Sequence, residues 1–424
     1  MLNVVIGLIG LGIVIFLHEL GHLLAAKTVG IHVEAFSVGW GRKIWSTRIG
    51  ETEYRVSWLP IGGYCKMKGE HALLRAWQDR SSKIEVETGD FYAARPIERI
   101  FVLFAGPFVN FLFAVVVLGA IAMVGYTIET FPNRIVLAQD YGATDTPAAD
   151  AGFRTGDKIV KIEGEPIESF RDIQTVVGQS AERELSVTVD RDGSVFTTTI
   201  RPKLDESTGA GLIGIYPWVE PIVASVEPGS AAEIGGLQAG DRIVSVSGES
   251  TEHSIDVERS ISDVGGKPVE LGVVRDGTRK TITIVPEVDE NGNSRLGIGY
   301  QTMKIRSPSF GLGGAFIHGI EEAWETLRLT LRGISLLFSG IDLNQAIMGP
   351  VRITYMVGEV AMMGMQGGVG RGVLSFFNFL SLISVTLFFM NLLPIPVLDG
   401  GQIVLSTVEI VLRHPLHPRF VYHY

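Results

Sequence analysis

The sequence predicts a polytopic α-helical membrane protein that carries two inserted copies of one small domain and a small membrane-associated β-sheet. Three observations predict it. Residues 100–128 and 373–393 contain no charged side chain, and in residues 1–26 the only ionisable side chains are His18, Glu19 and His22. Each run is long enough to cross ~30 Å of hydrocarbon, which takes ~20 helical residues. Between the second and third runs, Gly156-Asp157 recurs as Gly240-Asp241 at an offset of 84 residues, within a longer repeated pattern. Between the first and second, short alternating segments rich in Trp and Tyr read as strands at a membrane surface.

Composition narrows the function classes. Mean hydropathy is +0.29 with 19% charged residues, and the excess apolarity is confined to the three runs. One cysteine, Cys65, excludes an internal disulfide and any Cys-based zinc or iron–sulfur site. The formal charge of −10 argues against a nucleic-acid partner, because phosphate binding needs clustered Lys and Arg.

The first span, 1–26, contains His18-Glu19-Leu20-Gly21-His22, an H-E-x-x-H pattern. Ionisable groups are expensive inside a bilayer and are tolerated there when paired, metal-bound or facing water. At i and i+4 the two histidines share one helix face, which suits two nitrogen ligands on one Zn²⁺. Glu19 is the candidate general base. The run lacks a basic leader and a small-residue cleavage site, so it reads as a span rather than a removable signal peptide.

Residues 27–99 form a membrane-associated β region, with strands at 33–38 and 53–58 punctuated by Gly39, Gly41, Gly50, Gly62 and Gly63. Trp40, Trp45, Trp58 and Tyr64 concentrate there. An exposed edge of this sheet is suited to holding an extended peptide by strand addition; a hairpin with interfacial anchors and no substrate contact is the equal alternative. Cys65 reads as packing. The second span, 100–128, contains Gly106-Pro107-Phe108-Val109-Asn110. Gly and Pro there permit close helix approach and a kink, and all five read as structural.

Orientation follows from Lys and Arg. Residues 27–99 hold 12 in 73 positions, and residues 129–371 hold 22 in 243, with 34 Asp and Glu, a net of 22 − 34 = −12. The denser region is assigned to the cytosol. The third span and the motif after it occupy 372–401, ending Asn391-Leu-Leu-Pro394-Ile-Pro396-Val-Leu398-Asp399-Gly400-Gly401. The first and third spans then run in the same direction and bring Asp399 to the depth of the two histidines. A carboxylate there completes a three-ligand zinc site with one position open; a plain turn after the helix is the alternative. Asn391 is a candidate donor to substrate backbone or oxyanion, or else a helix cap. Pro394 and Pro396 keep the approach extended.

H-E-x-x-H in a first span together with L-D-G after a later one resembles the site-2 protease family of intramembrane zinc metalloproteases. The resemblance implies zinc held by His18, His22 and Asp399, with Glu19 as base. It further implies single-pass membrane proteins as substrates, typically after a first external cut; an anti-sigma factor or signal-peptide remnants fit. Gln402 stands where a basic residue or His is frequent in the family. A PDZ-bearing scaffold with a structural metal site is the competing class, although such a site normally has four protein ligands.

The repeat extends from Ala151-Gly-Phe-Arg-Thr-Gly156-Asp157 through Arg191-Asp192-Gly193, against Arg275-Asp276-Gly277 in the second copy. Such a register means two copies of one domain rather than a short-period solenoid. The A-G-x-x-x-G-D-x-I-x-x-I-x-G pattern is similar to PDZ domains, at 129–219 and 220–306, each with a helical stretch (170–177 and 254–262). A tandem pair narrows the resemblance to the bacterial regulator-of-sigma-E type, hence a bacterial inner membrane with the pair in the periplasm and the active site near the cytosolic side. The pair either holds peptide C-termini, acts as a steric filter on external substrate domains, or packs over the membrane; the filter is favoured. Residues 307–371 read as an amphipathic helical linker on the outer membrane face, in contact with lipid, with a stripe of Ile320, Trp324, Leu327, Leu331 and Ile334; ordinary packing of that stripe against the PDZ pair is the alternative. His318 there reads as a surface residue. Residues 402–424 read as a cytosolic tail; the family resemblance implies a fourth span after L-D-G, of which 403–412 is either the start or, if the protein uses three spans, part of the tail.

Overall fold

The computed structural model describes residues 2–205, 209–262, 264–288, 294–337 and 349–423. The chain divides into two compact units, one of residues 1–126 and 308–424, the other of 127–307.

In the first unit, three helices are long and apolar enough to cross a membrane: α1 (Leu2–Thr28), α3 (Pro96–Val124) and α10 (Val369–Asn391). The second therefore begins and ends four residues earlier than the uncharged run, because Pro96 starts the helix as a residue with no N–H to satisfy. Further helices are α2 (Glu70–Gln78), α8 (Leu312–Leu337), α9 (Pro350–Gln366), α11 (Asp399–Leu412) and α12 (Pro418–His423); α4 to α7 belong to the other unit. Among its described residues the region 307–371 holds α8, α9 and the start of α10 rather than one continuous helix; residues 338–348 lie outside the described ones. α9 packs against α1 so closely that a Cβ on Gly358 would overlap the Asn3 backbone. On α8, Ala315, Ala323 and Leu327 are buried while Phe316, Ile320, Trp324 and Leu331 are exposed. The two alanines and Leu327 pack toward the neighbouring helix, and the other bulky apolar side chains face outward, as expected beside lipid. The side chain of Ile334 lies outside the described set.

The β region is more extended than the two short strands expected. β1 (Val33–Ile49) and β2 (Thr52–Met67) form one long antiparallel hairpin. The expected pairing is present, with Phe36 opposite Tyr54, but 33–38 also pairs with 63–67, Val38 facing Gly63. Both strands therefore double back. Gly39, Gly41 and Gly62, at φ of 88°, 91° and 98°, act as bulges within strands rather than as turns between them. Val33, Ala35 and Phe36 are buried at the sheet's centre, whereas Trp40, Trp45 and Trp58 are exposed on its bent parts.

In the second unit the duplication produces the same architecture twice. Strands Glu165–Pro166, Lys158–Ile162, Leu185–Arg191 and Ser194–Ile200 form one sheet in that order. Glu249–Ser250, Arg242–Val246, Val269–Arg275 and Thr278–Ile284 form the other. The helices match as well: α4 (Pro147–Asp150) with α6 (Ala231–Ile234), and α5 (Phe170–Gly178) with α7 (Ser254–Ser262). Strand Thr127–Thr130 pairs with Met303–Arg306, so the chain enters and leaves this unit side by side.

One buried ion pair is repeated with the fold. Arg191 Nε and Nη2 donate to the two oxygens of Asp157 at 2.7 and 2.8 Å. Arg275 makes the same pair of bonds to Asp241, the Nε one at 2.6 Å. Asp157 and Asp241 are 1% and 0% exposed. Burial alone would push the Asp241 carboxyl up; the Arg275 guanidinium and the Gln238 N–H outweigh it and hold the group below the ordinary carboxylate range. The copies are joined through Tyr141, whose hydroxyl donates to Asp256 at 2.6 Å and lies 3.2 Å from His253 Nε2.

Because the folded-state pKa of Asp241 is depressed, its stabilising contribution is complete above the ordinary carboxylate range and is lost as pH falls below it. Asp241→Asn is expected to destabilise the second copy by about 2–3 kcal/mol at neutral pH, read as faster amide exchange in 269–275. The difference from wild type should shrink on acidification.

Candidate metal centre

α1 presents His18 and His22 one turn apart, and α11 presents Asp399 as its first residue. The two Nε2 atoms are 3.2 Å apart. Asp399 Oδ2 lies 3.3 Å from His18 Nε2 and 3.5 Å from His22 Nε2. Among the described residues this is the only cluster of three or more such donors whose ligand atoms converge. Four ligands on a tetrahedron with zinc bonds of about 2.0–2.1 Å stand about 3.3–3.4 Å from one another. The donor set has that spacing, and its two imidazoles and one carboxylate are the donor types zinc takes. The residues fit the ion.

Neighbouring groups orient the imidazoles. His22, 5% exposed, places Nδ1 2.8 Å from the Val102 carbonyl of α3. A carbonyl only accepts, so Nδ1 carries the proton and Nε2 keeps its lone pair toward the cluster. His18 Nδ1 is 3.4 Å from the side-chain amide of Asn110, which is completely buried and whose Oδ1 has no hydrogen-bond partner among the described residues. Amide nitrogen and oxygen are exchangeable assignments. With the oxygen toward His18, the unpartnered atom accepts the Nδ1 proton and the His18 Nε2 lone pair is likewise freed.

The helices meet closely here. A Cβ on Gly106 would overlap His22 Nε2, and one on Gly21 would overlap the Ala105 carbonyl. Glu19 follows His18 on α1, and Gly63 of β2 is packed against it: a Cβ there would stand 3.3 Å from Glu19 Cγ. Cys65 lies two residues further along the same strand. Burial, then the Glu19 charge, pushes its thiol up to about 12, which keeps it protonated and unreactive, consistent with packing.

Asn391 ends α10, and its side chain makes no hydrogen bond among the described residues, so nothing there supports a capping role. Pro394 and Pro396 are exposed in the connection to α11. Between them and Asp399, Val397 is 94% exposed at φ of 82°, a conformation costly for a β-branched residue. The structure brings His18, His22 and Asp399 together, with Glu19 beside them, and places Asn391, Pro394 and Pro396 on the segment leading in. His318 stacks on Phe310 at 4.9 Å and is not among the clustered donors. The orienting contacts of Val102 and Asn110 are not foreseen by the motif. A polar residue within an uncharged span is the signal that points to Asn110.

An H-E-x-x-H helix face completed by a distant carboxylate, on helices of membrane-spanning length, defines a zinc metalloprotease of the site-2 type. The family model for peptidase family M50 matches residues 6–423, and the chain belongs to that family. A protein of Treponema pallidum (strain Nichols) named a zinc metalloprotease is 40% identical over 424 residues, covering 100% of this chain and 94% of its own length. The regulator of sigma-E protease RseP of Escherichia coli (strain K12) is 28% identical, covering 97% of this chain and 91% of its own length. A solved PDZ domain of an SdrC-like protein from Listeria innocua covers 19% of this chain at 25% identity, with a TM-score of 0.18. The protein is an enzyme and zinc is its cofactor, which sets the scaffold alternative aside.

Gly106→Ala is expected to lower zinc affinity by about 10–100-fold, the usual effect of disturbing a ligand's supporting contacts, while the helical circular dichroism is unchanged. Zinc content after dialysis against a weak chelator reads this directly.

Proposed function

We propose that this protease cuts single-pass membrane proteins within their membrane segments, and that His18, His22 and Asp399 hold its zinc. The observation that carries the proposal is the convergence of those three donor atoms at tetrahedral spacing from helices far apart in sequence. Zinc held there supplies Lewis-acid activation of a water molecule and of the scissile carbonyl. Glu19 takes a proton from the attacking water and returns it to the leaving amine, so that one water is consumed per amide cut. Val102 and Asn110 fix the two imidazole tautomers. Asn391 donates its amide to the substrate backbone or the developing oxyanion, and Pro394 and Pro396, without N–H groups, keep that segment open and extended.

A helical substrate hides its amides, so it must unwind before attack. The edge formed by 63–67, next to Glu19, is suited to hold the unwound strand by main-chain pairing. The Lys and Arg distribution supports an inner-membrane orientation with this site toward the cytosol and residues 127–307 outside. The name of the E. coli relative, a regulator of sigma-E protease, supports a role in sigma-factor regulation; an anti-sigma factor already cut once outside the membrane is the substrate class that the family resemblance implies.

The duplicated copies read as PDZ domains acting as a filter that admits substrates with trimmed external domains. A cavity of about 800 Å³ favours a further role for the second copy. It lies against α7 and strand Ile298–Tyr300 and is lined by Ile255, Glu258, Ile298 and Tyr300, the setting in which a peptide C-terminus adds to a sheet edge.

Zinc content and cleavage measured together test the reading. Wild type should hold about one zinc per chain and Asp399→Ala much less; full zinc in that variant would remove Asp399 from the ligand set. Glu19→Gln should keep the metal and lose cleavage by a factor of about 10²–10⁴.

A further inference from the structure

At the far end of α11 from Asp399, a second cluster of charge is buried. Arg99, on the first turn of α3 and only 7% exposed, donates through Nη2 to Glu409 Oε2 of α11. The other Glu409 oxygen accepts the Leu416 N–H at 2.9 Å. Glu409 is thereby satisfied, but Arg99 is not: its buried Nε has no hydrogen-bond partner among the described residues. Arg99 lines a cavity of about 870 Å³ whose wall also carries Lys83, Arg95 and Arg413. Among the described residues, no ion pair or side-chain hydrogen bond engages the charged ends of those three, and all three are exposed. Four cationic side chains therefore face one carboxylate, and that carboxylate is already committed.

The surroundings are apolar where a lipid would need them to be. Ile84, Val86 and Ile410 line the cavity beside the cations. Val86, Ile97 and Val411 are exposed nearby in sequence. The cavity sits where α3 begins, at the end of the 29-residue uncharged run, which is the level of the headgroups in a spanning helix. A soluble anion needs the cations alone; a phospholipid uses both the cations and the apolar rim.

We propose that this cavity binds the phosphate of an anionic phospholipid headgroup, with Arg99 at its base and Lys83, Arg95 and Arg413 around it. The site is separate from the zinc cluster, and its occupancy does not depend on catalysis.

The test uses the full chain in nanodiscs of phosphatidylcholine with and without phosphatidylglycerol. Lipid retained on release is counted by native mass spectrometry. Wild type should retain phosphatidylglycerol in preference to phosphatidylcholine. Lys83→Ala/Arg95→Ala/Arg413→Ala, which leaves the Arg99–Glu409 pair intact, should lose that preference by about tenfold or more, given the worth of each basic residue near an anionic surface. Lys83→Arg/Arg95→Lys/Arg413→Lys should restore it. Equal retention by wild type and the alanine variant would overturn the proposal. So would a thermal shift with inorganic phosphate in detergent, abolished in the alanine variant, with no lipid preference in wild type; that result assigns the cavity to a soluble anion. Zinc content of the variants, expected to be unchanged, checks that the fold is retained.

Discussion

The crossing of α1 and α3 at Gly21 and Gly106 is the constraint on which the proposed zinc site depends. Two imidazoles within a helix of membrane-spanning length need more than a metal. Their remaining nitrogens must be hydrogen-bonded, because an unsatisfied polar atom in an apolar medium costs several kcal/mol. A second helix can supply those partners only if its backbone comes within reach. Glycine on both helices allows that approach, and it places the Val102 carbonyl at His22 and the Asn110 amide at His18. The same absence of side chain that lets the helices touch leaves the space His22 occupies. Helix packing and the proposed metal ligation rest here on one geometry.

Much of this is legible in the sequence because its signals are local. H-E-x-x-H on an uncharged run specifies the face, and the period of the helix does the rest. Asp399 is reachable only by matching depths along two spans, a weaker argument that here places the carboxylate beside the histidines. The β region shows where local reading stops. Its glycines carry turn chemistry, and nothing nearby says whether a positive φ ends a strand or bends it. Pairing of 33–38 with both 53–56 and 63–67 decides that, and such pairing is a long-range property. The Arg99–Glu409 pair, 310 residues apart, has no local signature either.

The duplicated unit makes the complementary point. An 84-residue offset preserves the buried Asp–Arg pair with nearly the same bond lengths in both copies, whereas the surfaces have diverged. Ser169 caps α5 in the first copy, with Asp172 returning the bond. In the second copy His253 stands at the equivalent place, and Asp256 both accepts N–H groups at the start of α7 and takes the Tyr141 hydroxyl. Burial lowers the His253 pKa, so near neutral pH the ring has one proton to donate. Tyr141 gives its own proton to Asp256 and has lone pairs to accept that one. The position that served as a cap in one copy has become part of the join between copies.

α11 carries Asp399 at its first turn and Glu409 ten residues on, about 15 Å along the axis. A buried ion pair such as Arg99–Glu409 is a poor source of stability, since desolvation offsets most of its Coulombic gain. What it supplies is register. An apolar contact tolerates a slide of an ångström or rotation of a few degrees, whereas a guanidinium–carboxylate bond with a second donor from Leu416 does not. The proposed zinc donors have the same intolerance, because ligand spacing is set by bond length. α3 thus holds α11 in register by Arg99 at one end and orients His22 through Val102, a single turn further along the same helix. The carboxylate and one of its partner histidines are positioned from neighbouring residues of one helix, which is how groups from opposite ends of the chain can be held to the separation a metal requires.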